Sequence, residues 1–136
     1  MRKYLLVYPN RDYGRLMWRD LEKLDNVDFI NKPLFVNNVL IDLLFRIHFS
    51  FKLNMKIELP LKRFWEKYYS LDHYDFDQSN EYMILFTDPS LCNYRNNFLE
   101  KLKRKSNVIM VLVLINSFYR MRRIIEPMLK NFDLIY

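Results

Sequence analysis

The run Val108-Ile109-Met110-Val111-Leu112-Val113-Leu114-Ile115 is apolar at every position. A strand with one face in water alternates apolar and polar residues. A strand apolar on both faces belongs in the middle of a parallel sheet, covered on each side. The run is too short to cross a bilayer, which takes about 20 residues as helix. Parallel neighbours must be joined by crossovers, usually helical and right-handed. This one segment therefore predicts alternating strands and helices.

The rest of the chain agrees. Lys3 to Tyr8 is apolar and aromatic and stops at Pro9-Asn10, a strand and a turn. Leu16, Met17, Leu21 and Leu24 share one face of a helix over Arg15–Leu24. Val27 to Ile30 is a short strand, and Pro33 then interrupts the chain. The clearest helix lies between Phe35 and about Phe51. There Val36, Val39, Leu40, Leu43, Leu44 and Ile47 form an apolar stripe avoided by Asn37, Asn38, Asp42 and Arg46, a pattern that ordinarily sets the stripe against a core. Pro60 starts a further helix, Leu61 to Tyr69. Asp72 to Asn80 is polar and irregular. Glu81 to Phe86 is a strand broken by Asp88-Pro89. Ser90 caps a helix carrying Leu91, Tyr94, Phe98 and Leu102 on one face. A last helix begins near Ser117 with Phe118, Met121, Ile125 and Met128 inward, and Pro127 kinks or splits it. Phe132 to Tyr136 is a final strand. The expected fold is one three-layer, Rossmann-like α/β domain over residues 1–136, with a mainly parallel sheet of about five strands.

Composition removes several functions. Gly14 is the single glycine, so neither a dinucleotide fingerprint nor a P-loop is present, since both bring backbone amides against phosphate where a Cβ would clash. Cys92 is the single cysteine, which excludes an internal disulfide and a cysteine-rich zinc site and fits a reducing cytosol. The apolar run after Arg2-Lys3 is too short for a signal-peptide core, so a cytoplasmic chain is expected. The net charge is +6. Abundant Lys and Asn with no alanine suggest an AT-rich coding sequence, which weakens any argument from that charge alone. No recognition helix, RRM or KH signature is present, and nucleic acid is not the expected partner.

In open parallel sheets ligands bind beyond the carboxyl ends of the strands. That rule selects Asn10, Arg11 and Asp12 after the first strand, Asp88 after the third, and Asn116 with Tyr119 and Arg120 after the fourth. These types suit sugar hydroxyls or phosphate, although Asn and Asp also populate turns for backbone reasons. Asp75-Phe76-Asp77 matches the Asp-x-Asp pattern that holds a divalent cation in some sugar transferases. With His73 and Asp72 it sits in a polar connector, so a solvated loop is expected and no metal site. Lys101 to Lys105 complement a helix C-terminus. Arg120, Arg122 and Arg123 fall early in the last helix, where the dipole does not favour them, and are expected to face an anion. Lys62, Arg63, Trp65 and Lys67 interleave cations with aromatic rings. They suit an anionic membrane surface, or else a core-packed helix with its lysines in water.

With these elements in order, the chain resembles the N-terminal half of bacterial GT-B-type glycosyltransferases of the capsule, O-antigen and lipopolysaccharide group. The resemblance runs through the first strand and the helix with Trp18, then Asn31-Lys32-Pro33 and the helix ending Phe45-Arg46-Ile47-His48-Phe49-Ser50. It continues through Leu59-Pro60-Leu61-Lys62 with Trp65, then Thr87-Asp88, the strand ending in Asn116, and Phe132-Asp133-Leu134-Ile135-Tyr136. It implies an acceptor-side domain taking a sugar or lipid-linked acceptor, with no metal and no cofactor. The nucleotide-sugar would be held by a C-terminal domain or partner subunit that these residues do not contain, so the chain by itself is expected to be inactive. Asp88 and Asn116 are the positions the resemblance carries over, and no catalytic base is identified. The competing reading is a free-standing flavodoxin-like or receiver-like interaction module. Asp12 and Asp88 approximate a receiver's acidic residues, while the turns are poor in the Ser, Thr and Gly that hold flavin phosphate.

Overall fold

Alternation along the strands decides the layers. In β1 (Arg2–Val7), Leu5 and Val7 point to one side of the sheet and Tyr4 and Leu6 to the other. The structure is a computed structural model that describes residues 1–7, 19–30, 38–57, 59–115 and 118–136. The other strands are β2 (Val27–Ile30), β3 (Glu81–Thr87), β4 (Val108–Val113) and β5 (Leu134–Ile135). They form one five-stranded sheet in the order β2-β1-β3-β4-β5. Every pairing is parallel, with Leu5 opposite both Asp28 and Ile84, Ile84 opposite Met110, and Leu112 opposite Ile135. The Rossmann-like α/β fold with a mainly parallel sheet expected from the sequence is present, with β4 inside the sheet.

One face of that sheet carries the main core. Leu5, Val7, Tyr82, Ile84, Phe86, Val108, Met110 and Leu112 pack there against Phe45, Trp65, Leu91, Phe98, Leu102, Ile125 and Phe132. These partners come from the β2–β3, β3–β4 and β4–β5 connections. All three connections step the same way across the sheet, and right-handed crossovers put such connections on the same side. The second face holds Leu6 and Val111 buried and Met83, Leu85, Ile109 and Val113 half-buried.

The helices depart from expectation in four places. Of the helix expected over Arg15–Leu24, the described part is a 3₁₀ turn, Leu21–Lys23. Between β2 and β3 lies α1 (Val39–His48), whose N-cap Asn38 accepts the N–H groups of Leu40 and Ile41. A short α2 (Phe51–Asn54) comes next. The apolar stripe of α1 does not face the core: Phe45 is its buried residue, while Val39, Leu40, Leu43, Leu44 and Ile47 are exposed.

The helix after Pro60 is a 3₁₀ helix, Lys62–Tyr68, entered through Leu61 at φ 64°. Its three-residue period lines up Lys62, Trp65 and Tyr68 on the inner side while Arg63, Phe64 and Lys67 stay exposed. The left-handed backbone at Leu61, sterically costly for a residue with a Cβ, sets this segment off from what precedes it.

The Ser90 helix is two helices, α3 (Asp88–Leu91) and α4 (Asn96–Lys103). Ser90 sits in the first turn of α3, where its Oγ accepts the Thr87 N–H at 3.1 Å and donates to the Thr87 carbonyl at 2.7 Å. The break leaves Leu91, Tyr94, Phe98 and Leu102 all buried. The last helix does split at Pro127, into α5 (Phe118–Ile125) and a 3₁₀ segment, Glu126–Asn131. Among the described residues no helix is long and apolar enough to cross a membrane.

Candidate functional site

The connections that leave the carboxyl ends of β2, β3 and β4 enclose a cleft of about 340 Å³. Phe49, Tyr94 and Met128, all buried, give it an apolar floor. Its polar lining is Lys62, Arg95 and Arg123 together with Asn54, Asn96 and Asn97.

Each cation is held in place by a neighbour. Arg95 Nη1 lies 3.0 Å from Glu66 Oε1, with both side chains about three-quarters covered. Lys62 Nζ donates to Asn54 Oδ1 and lies 5.9 Å from the centre of the Phe49 ring. Asn54 is itself anchored, its Nδ2 donating to the carbonyls of His48 and Ser50 at 2.8 Å each. Arg123 Nη1 donates to the Met55 carbonyl at 2.8 Å, so α5 is tied to the end of α2. Asn96 accepts from Asn131 Nδ2 at 2.6 Å and donates to Glu100 at 3.2 Å. The first turn of α4 starts at Arg95 without a side-chain cap, which leaves its leading N–H groups and the positive end of its dipole at this wall. Three cations on one lining suit the cleft to an anion.

The cleft contains no activated nucleophile among its described residues. The Cys92 thiol on its wall is pushed up to about 11, by burial first and then by the nearby Asp88 carboxylate, so it is protonated at neutral pH. No group of three His, Cys, Asp or Glu able to hold a metal ion occurs among the described residues. His73 Nε2 lies 2.6 Å from the Lys67 carbonyl. Asp77 accepts the Ser79 N–H at 2.9 Å and an Asn80 amide N–H at 3.2 Å, and hydrogen bonding from the Ser79 backbone and side chain holds its carboxyl below the usual range. Both belong to a turn-rich connector, as the sequence suggested.

Of the residues singled out at the strand ends from the sequence, Asp88 is the one whose side chain is described. Asn10, Arg11, Asp12 and Asn116 lie outside the described residues, as do the side chains of Tyr119 and Arg120 in α5. Asp88 is fully buried, and its Oδ1 accepts the Ile115 N–H at 2.9 Å. It joins the carboxyl ends of β3 and β4 and does not line the cleft.

Lys62, expected at a membrane surface or in water beside a core-packed helix, lines the cleft. Arg63 and Lys67 are exposed, whereas Trp65 is 1% exposed and edge-on to Phe45 at 5.3 Å, so its ring belongs to the core. The arginine cluster divides: Arg122 pairs with Glu126 at 3.0 Å on the outside, and Arg123 reaches the cleft. Lys101 and Lys103 pair with Asp72 and Asp133. Sequence reasoning missed Arg95, Asn96 and Asn97, although a cation and two carboxamides at the start of a helix are a usable signal. No protein-family model, curated protein or solved structure matches this chain.

Proposed function

We propose that this chain is the acceptor-side domain of a glycosyltransferase of bacterial surface-polysaccharide synthesis, and that its cleft grips the anionic, phosphate-bearing end of a sugar or lipid-linked acceptor. One observation carries the reading: Lys62, Arg95 and Arg123 converge with three asparagines on one cavity. The cations supply the field for phosphate, and Asn97 on the same lining offers a carboxamide to a sugar hydroxyl beside it. The nucleotide-sugar belongs to a second domain or a partner subunit, so these residues bind without turning over.

Calorimetric titration with a short-chain, water-soluble prenyl diphosphate sugar tests this. Saturable binding is expected, weakened about tenfold by Arg123→Gln through loss of one charge-assisted contact. Tighter binding of a nucleotide-sugar than of the acceptor, or binding indifferent to Arg123→Gln, would overturn it.

A second reading is favoured by the strand order. The order β2-β1-β3-β4-β5 is that of flavodoxin-like and receiver-like domains, which supports a free-standing interaction module. In the phosphoacceptor form of that reading, the carboxylate after β3 must meet solvent. Asp88 is buried and accepts the Ile115 N–H, so that form is disfavoured and a docking role remains. Incubation with a small phosphodonor separates the forms, since a phosphoryl mass increase at Asp88 would restore the receiver.

A further inference from the structure

Asn54 lines the cleft from the end of α2, half-buried, and its carboxamide is committed to the protein itself. Both N–H donors of Nδ2 go to backbone carbonyls, those of His48 and Ser50, at 2.8 Å each. His48 is the last residue of α1, so its carbonyl is one that the helix leaves without a donor of its own. Turning the amide over would set Oδ1 against two other acceptors, and this fixes its orientation. Oδ1 is thereby presented to Lys62, whose Nζ donates to it.

Lys62 opens its 3₁₀ helix directly after the left-handed backbone at Leu61. Its ammonium sits on a flexible four-carbon stem, and a ligand that must order such a stem loses affinity in doing so. Two contacts order it beforehand: the Asn54 carboxamide, and the buried ring of Phe49, whose centre is 5.9 Å from Nζ. Arg95 is held differently, by the Glu66 carboxylate at 3.0 Å. A carboxamide fixes a cation without adding a negative charge of its own to the lining.

We infer that Asn54 is a positioning residue of the anion site: it acts through Lys62 Nζ, which it holds in the cleft, and does not itself touch the anion. This rests on the reading that the cleft takes a phosphate-bearing ligand. It gives Asn54 a different part from Asn97, which is exposed on the same lining and suited to meet the ligand directly.

Calorimetric titration of the full chain with inorganic pyrophosphate tests it. Lys62→Gln should weaken binding about tenfold, and Asn54→Ala about threefold or more. Added to Lys62→Gln, Asn54→Ala should weaken binding no further, because its effect passes through the ammonium. A merely structural role would displace the end of α2, and with it the Met55 carbonyl that holds Arg123, so it would weaken binding in both backgrounds alike. Asn54→Ser is the second variant: its hydroxyl still reaches the Ser50 carbonyl four residues back, which supports the fold, but is too short to hold Lys62, so the same dependence on Lys62 is expected. Equal weakening by the asparagine variants in the native and Lys62→Gln backgrounds overturns the inference and leaves the anion site standing. So does native affinity in either asparagine variant or in Lys62→Gln alone. No pyrophosphate binding by the native chain overturns the inference and the anion site together. Pyrophosphate binding without binding of the prenyl diphosphate sugar removes the acceptor reading and, with the expected dependence on Lys62, upholds the role of Asn54.

Discussion

Two helices of this protein meet opposite fates, although α1 is apolar at seven of its ten positions and α4 at three of its eight. In α4, Phe98, Leu99 and Leu102 are each no more than 2% exposed and lie against β4 and the 3₁₀ segment after α5. In α1, five aliphatic residues are exposed, and contact with the core falls to Phe45 and Ile41. Periodicity reports which residues share a face. It does not report whether the molecule brings anything to meet that face. In α4 the packed face is flanked by Lys101, Lys103 and Glu100, so a single orientation satisfies both water and core. In α1 the polar sector is narrow, and the bulky aromatic of the helix sits on the side opposite its aliphatic stripe.

The comparison is broken most directly by deletion in α4. Phe98→Ala should cost about 3–5 kcal/mol, read as a lowered urea midpoint, because it removes a ring packed against Tyr69 and Tyr94 and leaves a cavity. A change below 1 kcal/mol would mean that the α4 face is not the tightly packed one. Asp88→Ala should cost about 1–3 kcal/mol, since the Ile115 N–H loses its acceptor in a buried setting.

Alkaline titration sharpens the contrast from the side of the core. Tyr69 and Tyr94 are raised above the ordinary value of 10.0, chiefly by burial, and Cys92 is raised from 9.0 to about 11. In each case the folded state holds the proton more tightly than the unfolded chain does. The associated stability is therefore complete below pH 9.0 and declines as pH climbs past 9.0 for Cys92 and past 10.0 for the tyrosines. Thermal melts at rising pH should show this loss beginning above pH 9.0, and alkylation of Cys92 in the folded protein should stay slow until pH approaches about 11. The smallest effect belongs to α1, where Leu43→Ser with Leu44→Ser should change the urea midpoint by less than about 0.5 kcal/mol, as for exposed positions generally. A loss of several kcal/mol there would place the stripe in the core after all.

Much of the sheet was legible from residue order. β1, β2, β3 and β4 fall where short apolar runs end at Pro, Asn or Asp, because buried strands need such runs and turns need such residues. The split at Pro127 was legible for the same reason: a proline inside a helix removes a donor and clashes with the preceding turn. The break between α3 and α4 was not, since Leu91, Tyr94, Phe98 and Leu102 keep helical spacing across it and all reach the core regardless. The cleft was legible only in part. Arg123 stood out as a cation expected early in a long last helix, and Lys62 as a cation among rings. The split at Pro127 instead puts Arg123 in the last turn of α5, where the dipole favours it. Arg95, Asn54 and the Asn96-Asn97 pair look like ordinary surface residues until two separate connections bring them together.

Sequence by itself determined the class of fold and the interior of the sheet, because β4 is apolar on both faces and such a strand is stable only when covered on both. It also determined that glycine-built phosphate loops are absent. Tertiary structure decided the strand order, the outward turn of the α1 stripe and the meeting of Lys62, Arg95 and Arg123. These depend on where each crossover lands on the sheet, and a crossover is placed by packing between residues far apart in the chain.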